Sequence, residues 1–128
     1  MSGNNVGLAL TSAFWLEMTI PRLVTAKGGA NMPTYVSLIH WTDQGIKDYK
    51  DSTSRAADFT KLAESAGGRI REILWTVGEY DLVTVVDFPD DETATATLLQ
   101  VGALGNIRSN TLRAFNAEEM GAITARAG

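Results

Sequence analysis

One histidine, His40, is the only side chain in this 128-residue chain whose ordinary pKa lies near neutrality. It stands near the end of the run PTYVSLIHW, where a strand end could offer it to a substrate as a general acid or base. Leu38 lies two residues before it on the same strand face, so a packed or half-exposed histidine is the competing reading. A second candidate is the four-residue stretch GEYD, Gly78 to Asp81, set between two strand-like runs. Gly78 can take a positive φ that a side chain would strain, and Asp81 can accept hydrogen bonds from nearby backbone N–H groups. Tyr80 can lay its ring on the sheet edge, leaving its hydroxyl free for water or a partner. The stretch is thus either a structural turn or, through Tyr80 and Asp81, part of a ligand pocket at the end of the sheet. Arg55, Arg108 and Arg113 each carry a guanidinium able to grip a carboxylate, or to serve as a solvated or structurally paired cation. Trp41 and Trp75 could stack on a ligand or simply fill the core.

Other chemistries are excluded. The chain has no cysteine, which removes disulfides, thiolate metal sites and cysteine nucleophiles together. A lone histidine cannot build a zinc site, and Asp90, Asp91 and Glu92 read better as the start of a helix than as a carboxylate metal site, so no metal is expected. Ser52 and Ser54 lack the glycine-flanked elbow of a nucleophile. VGALGN lacks the spacing, the lysine and the strand-to-helix setting of a phosphate loop, and no cofactor is expected. The net charge of −4 opposes a nucleic-acid backbone instead of steering toward it.

The elements that must position these groups are well punctuated from Pro33 onward. PTYVSLIHW is a strand, and Thr42 offers an N-cap to one helix over TDQGIKDYKDSTSRAADFTKLAESA. Ile46, Tyr49, Thr53, Ala56, Phe59 or Thr60, and Ala63 recur at helical spacing as its inward stripe, and Gly67-Gly68 ends it. RIREILWTV and LVTVVDF are strands either side of GEYD. PDDE opens a helix whose apolar side is Ala94, Leu98 and Val101, and Gly105 closes it. NIRSNTLRAF is a fourth strand, and Asn116 caps a short terminal helix. The order βαββαβ predicts an α+β, ferredoxin-like fold: one four-stranded antiparallel sheet with two helices on one face. Antiparallel neighbours at the centre of such a sheet would bring His40 close to Asp81.

Both faces of that sheet are apolar. Tyr35, Ile39 and Trp41 oppose Val36 and Leu38, and Val83 and Val85 oppose Leu82 and Val86. The helices can cover only one face, so a second copy of the sheet is the expected cover, and the chain is read as a homodimer or a multiple of dimers. Residues 1–31 read as an N-terminal extension outside the core domain of residues 32–128. Glu17, Pro21 and Arg22 interrupt its apolar stretch short of a membrane span, and no basic residues precede that stretch as in an export signal. A cytoplasmic protein without membrane or nucleic-acid partners is the expectation.

The blocks MPTYVSLIHWTDQGIKDYKDSTSRA, GGRIREILWTVGEYDLVTVVDFPDDETA and GALGNIRSNTLRAFNAEEM together resemble the GYD domain family, with the signature standing here as Gly78, Tyr80 and Asp81. Those small bacterial proteins belong to the dimeric α/β-barrel superfamily, so the resemblance implies this fold and a dimer, but no activity. A small-molecule-binding protein is the leading functional reading, with a small apolar ligand held between sheet and helices and Trp41, Arg55, Tyr80, Asp81 and Arg113 as candidate contacts. The alternatives are an enzyme in which His40 moves a proton on an apolar carbonyl or aromatic substrate, and an assembly or accessory subunit.

Overall fold

The computed structural model describes residues 32–128, so the expectations for residues 1–31 lie outside the described residues. Strand β1, Thr34–Trp41, alternates as its sequence dictates: Tyr35, Ser37 and Ile39 are buried, whereas Val36 and Leu38 are half-buried on the other side and His40 is exposed there. Strands β2 (Arg69–Trp75), β3 (Leu82–Asp87) and β4 (Ile107–Ala114) complete a sheet in the order β2-β3-β1-β4. Every neighbouring pair is antiparallel. This is the ferredoxin-like α+β arrangement that the pattern predicts.

The first crossover departs from the expected single helix. Thr42 does cap a helix, accepting from Gly45 N, but α1 (Asp43–Lys47) stops after five residues. A 3₁₀ turn, Tyr49–Asp51, then leads into α2, Ser52–Ser65. A tertiary tether explains the break. Thr42 N donates to Asn106 O at 3.1 Å and Thr42 Oγ1 to Gly105 O at 2.6 Å, pinning the first turn to the loop before β4. Gln44 Nε2 adds bonds to Leu104 O at 3.0 Å and Asn106 Oδ1 at 2.9 Å. Gly45 is buried against that loop so closely that a Cβ would lie 2.0 Å from Asn106 O. Ile46 and Tyr49 consequently point to solvent, about half exposed, and the inward stripe begins only at Ala56 and continues through Phe59 and Ala63.

Helix α2 ends at Gly67, with φ of 87°, and Gly68 N donates to Ala63 O at 2.8 Å. The second crossover helix, α3 (Asp91–Ala103), is capped by the Asp90 carboxylate, which accepts from Thr93 N at 2.7 Å. Hydrogen bonding from Thr93, its side chain first and this backbone N–H second, holds the Asp90 carboxyl below the usual carboxylate range. The terminal helix α4, Ala117–Ala127, starts with a reciprocal capping box between Asn116 and Glu119 and buries none of its residues.

Between sheet and helices the filling is uneven. Tyr35, Ala63, Val86, Phe88 and Ala94 form a tight cluster at one end, with Phe59 and Ile70 packed on it. The Tyr35 and Phe88 rings meet edge to face, their centroids 5.9 Å apart. Burial, followed by a hydrogen bond from its hydroxyl to Asp91, pushes the Tyr35 pKa up to about 12. At the other end, around Ile39 and Leu82, the layer is hollow.

Candidate functional site

The hollow end is a pocket of about 170 Å³, partly open to solvent. Ile39 and Trp41 of β1, Ile73 of β2, Leu82 and Thr84 of β3 and Ile107 of β4 form its sheet wall. Phe59 and Leu62 of α2, with Leu98 and Val101 of α3, form its helix wall. The loop held by α1 contributes Leu104 and Asn106, so the Thr42 and Gln44 tether shapes one side of the chamber. The walls are aliphatic and aromatic over nearly all their area. Their polar groups are few, and most are committed: Ser52 Oγ accepts from Trp75 Nε1 at 2.6 Å, and Asn106 Oδ1 accepts from Gln44. Arg55 lines the cavity but directs its guanidinium to the carbonyls of Gly45 and Asp48, closing the end of α1. Among the sequence candidates, then, Trp41 and Arg55 stand in the cavity wall.

Tyr80, Asp81 and His40 meet elsewhere. Ile39 and Trp41 face the cavity, so His40 between them points to the opposite face of the sheet. There its ring stacks on Tyr80, with centroids 4.7 Å apart and planes tilted by 30°. Asp81 ties the turn to β1 twice: its N–H donates to Ile39 O at 2.8 Å, and its Oδ2 accepts from Trp41 N at 2.9 Å. Thr76 closes the turn from the other side, N to Asp81 O at 2.9 Å and Oγ1 to Tyr80 O at 2.6 Å. Gly78, with φ of 136°, makes the reversal in open space. Glycine, tyrosine and aspartate each have a local task here: the reversal, the stack on His40, and the clamp on β1. The antiparallel register of β1 and β3 pairs Ile39 with Leu82 and so delivers this encounter.

Arg113 lies on β4 opposite Tyr35, away from the cavity. Its guanidinium sits 4.4 Å from the Phe115 ring centroid and 5.8 Å from that of Tyr35. Two features escaped the sequence reading. Thr84 is a buried hydroxyl in the cavity wall, and the only trace of it in sequence is a polar residue at an inward position of LVTVVD. Asp87 is 1 % exposed and binds Thr34 Oγ1 at 2.6 Å, with Arg69 and Arg71 each 3.2 Å away. Nothing local marks it, because its partners come from two neighbouring strands.

Among the described residues, no three His, Asp or Glu side chains converge as metal ligands, and no helix is long and apolar enough to cross a membrane. The sequence model of the GYD domain matches residues 35–124, which takes in the four described strands from Tyr35 onward and helices α1, α2 and α3. The chain belongs to the GYD domain family. A curated relative from Thermus thermophilus is 28% identical over 85 residues, covering 66% of this chain and 90% of that one. It is named a glutamine synthetase and cystathionine beta-lyase binding protein. In this GYD domain the family signature forms the clamp at the end of β1, and the cavity occupies the other side of the sheet.

Proposed function

We propose that this GYD domain is a binding module that takes a small apolar molecule into the chamber between sheet and helices, and that two copies join through the open sheet face. The cavity carries the reading: about 170 Å³ of space walled by side chains such as Phe59, Leu62, Leu98 and Ile107, in a domain that packs its other end tightly. Ligand capture, not proton transfer, is the task that suits it. His40 is exposed on the opposite face, so the sheet lies between its ring and anything held in the chamber. Val36, Leu38, Val83 and Val85 support the dimer, being half-buried on a face that no helix among the described residues covers, and Leu74 and Leu112 lie beside them about half exposed. Residues 1–31 act on this reading as an extension outside the binding domain.

Calorimetric titration with toluene tests the first half. Saturable binding at one site per chain is expected in the wild type and not in Ala56→Phe, which fills the chamber from α2. Equal binding by the two proteins, or none by either, removes the cavity as the site. Sedimentation tests the second half: the wild type should run as a dimer at micromolar concentration and Leu38→Glu as a monomer, whereas a monomeric wild type refutes it. A second reading is favoured by the name of the Thermus relative. On that reading the open face docks another protein, and a monomeric wild type is its expected result.

A further inference from the structure

We propose that the molecule held in the chamber is an uncharged, ring-sized compound carrying one hydrogen-bonding oxygen, and that Thr84 is the residue that receives this oxygen. This rests on the reading of the chamber as a binding site and adds its ligand class.

Thr84 sits at the middle of β3, paired with Ser37 on one side and Ile73 on the other, and it is only 4 % exposed. Its neighbours along the inward face, Leu82 and Val86, are apolar, as that face of a central strand requires. A threonine there needs an explanation. Ser37 has one, because its hydroxyl pairs with Thr111 Oγ1 at 2.8 Å. Thr97 also has one, donating to Thr93 O at 2.9 Å. Thr84 Oγ1 has no hydrogen-bond partner among the described residues, and it lines the cavity. A buried hydroxyl without a partner works against folding, whereas valine has the same shape and carries no such cost. A trapped water is a poor substitute, since it needs two to four polar contacts and Ser52, Arg55 and Asn106 of the wall are committed elsewhere.

Size and charge narrow the class. A dry cavity of about 150 Å³ lined by aliphatic and aromatic groups is enough to hold benzene. The present chamber, at about 170 Å³, therefore takes a single ring with a small substituent. The charged groups in its lining, Arg55 and Asp58, oppose one another in sign, and Arg55 is engaged by backbone carbonyls. A carboxylate in the chamber would lose its water without gaining a cation at Thr84, so a neutral hydroxyl or carbonyl is the fitting partner. The threonine hydroxyl can rotate to donate or accept, which admits both.

The test titrates the full chain and its Thr84→Val variant with p-cresol, toluene and benzoate by calorimetry, with Thr84→Ser as the conservative control. The wild type is expected to bind p-cresol about five- to tenfold more tightly than toluene, one net hydrogen bond's worth. Thr84→Val should bind toluene as the wild type does and lose the preference for p-cresol, Thr84→Ser should keep it, and benzoate should bind none of them. Toluene binding with no preference for p-cresol, an equal preference in the valine variant, or tighter binding of benzoate overturns the ligand class and leaves the chamber a binding site. Failure of every probe with every protein overturns the chamber reading itself, and the inference with it.

Discussion

Replacing Gly45 by alanine should unfasten the cavity wall. Its Cβ would sit 2.0 Å from Asn106 O, 2.8 Å from the Asn106 carbonyl carbon and 3.1 Å from Asn106 Cα, all backbone atoms with no rotamer to escape into. Relief requires α1 to back away from the loop before β4. That movement breaks or stretches up to four hydrogen bonds, two from Thr42 and two from Gln44, each contributing about 0.5–1.5 kcal/mol. The helix propensity of alanine returns at most about 1 kcal/mol. A net loss of about 2–4 kcal/mol is expected, read as a lower urea midpoint with an unchanged slope. Gly102→Ala is the control, because a Cβ there meets nothing within 4 Å and should be neutral or stabilising by up to about 1 kcal/mol. Leu104, Asn106 and Ile107 line the cavity, so Gly45→Ala should also weaken toluene binding in whatever fraction stays folded. If Gly45→Ala unfolds within about 0.5 kcal/mol of the wild type, the tether is not what holds α1 against the loop.

Two further outcomes follow from the geometry. The folded pKa of Tyr35 is about 12 against 10.0 for an ordinary tyrosine, so its contribution to stability is complete below pH 10 and lost as pH rises toward 12. Tyr35→Phe should flatten that part of the stability profile, and an unchanged alkaline fall in the variant would show that another group causes it. Asp81→Ala leaves the Trp41 N–H without its carboxylate and should cost about 1–3 kcal/mol in urea unfolding, while His40→Asn should change stability by less than about 0.5 kcal/mol. Equal losses in the two variants would place the stability in the His40–Tyr80 stack instead of the clamp.

The sheet was legible because alternation is a local property. Tyr35, Ser37, Ile39 and Trp41 face one way, and a period of two reveals this without coordinates. The meeting of His40 with Tyr80 and Asp81 was legible too, since an antiparallel β1–β3 pair leaves little freedom at its end. The break between α1 and α2 was not. Its cause is Asn106, some sixty residues away in the chain, and helical spacing from Ile46 to Ala63 carries no trace of that loop. The chamber was hidden for a similar reason. Leu98 and Val101 read as ordinary inward residues of α3, and whether inward residues touch or leave room depends on how far two helices stand from the sheet. Asp87 defeats sequence reasoning most completely, because an acid closing a strand looks solvated until Thr34, Arg69 and Arg71 are seen around it.

The division of the layer into a tight end and a hollow end has an evolutionary consequence. At the tight end, trimming Phe88 or enlarging Ala63 leaves a void or a clash that close-packed neighbours cannot absorb. At the hollow end, exchanging Val101 for a larger residue extends into space that is already there, without the clash it would meet in a packed layer. Mutations that alter which molecule fits can therefore accumulate with little penalty to the fold. A lineage built on this domain can drift from one ligand to another while its clamp, its capped helices and its tight cluster stay as they are.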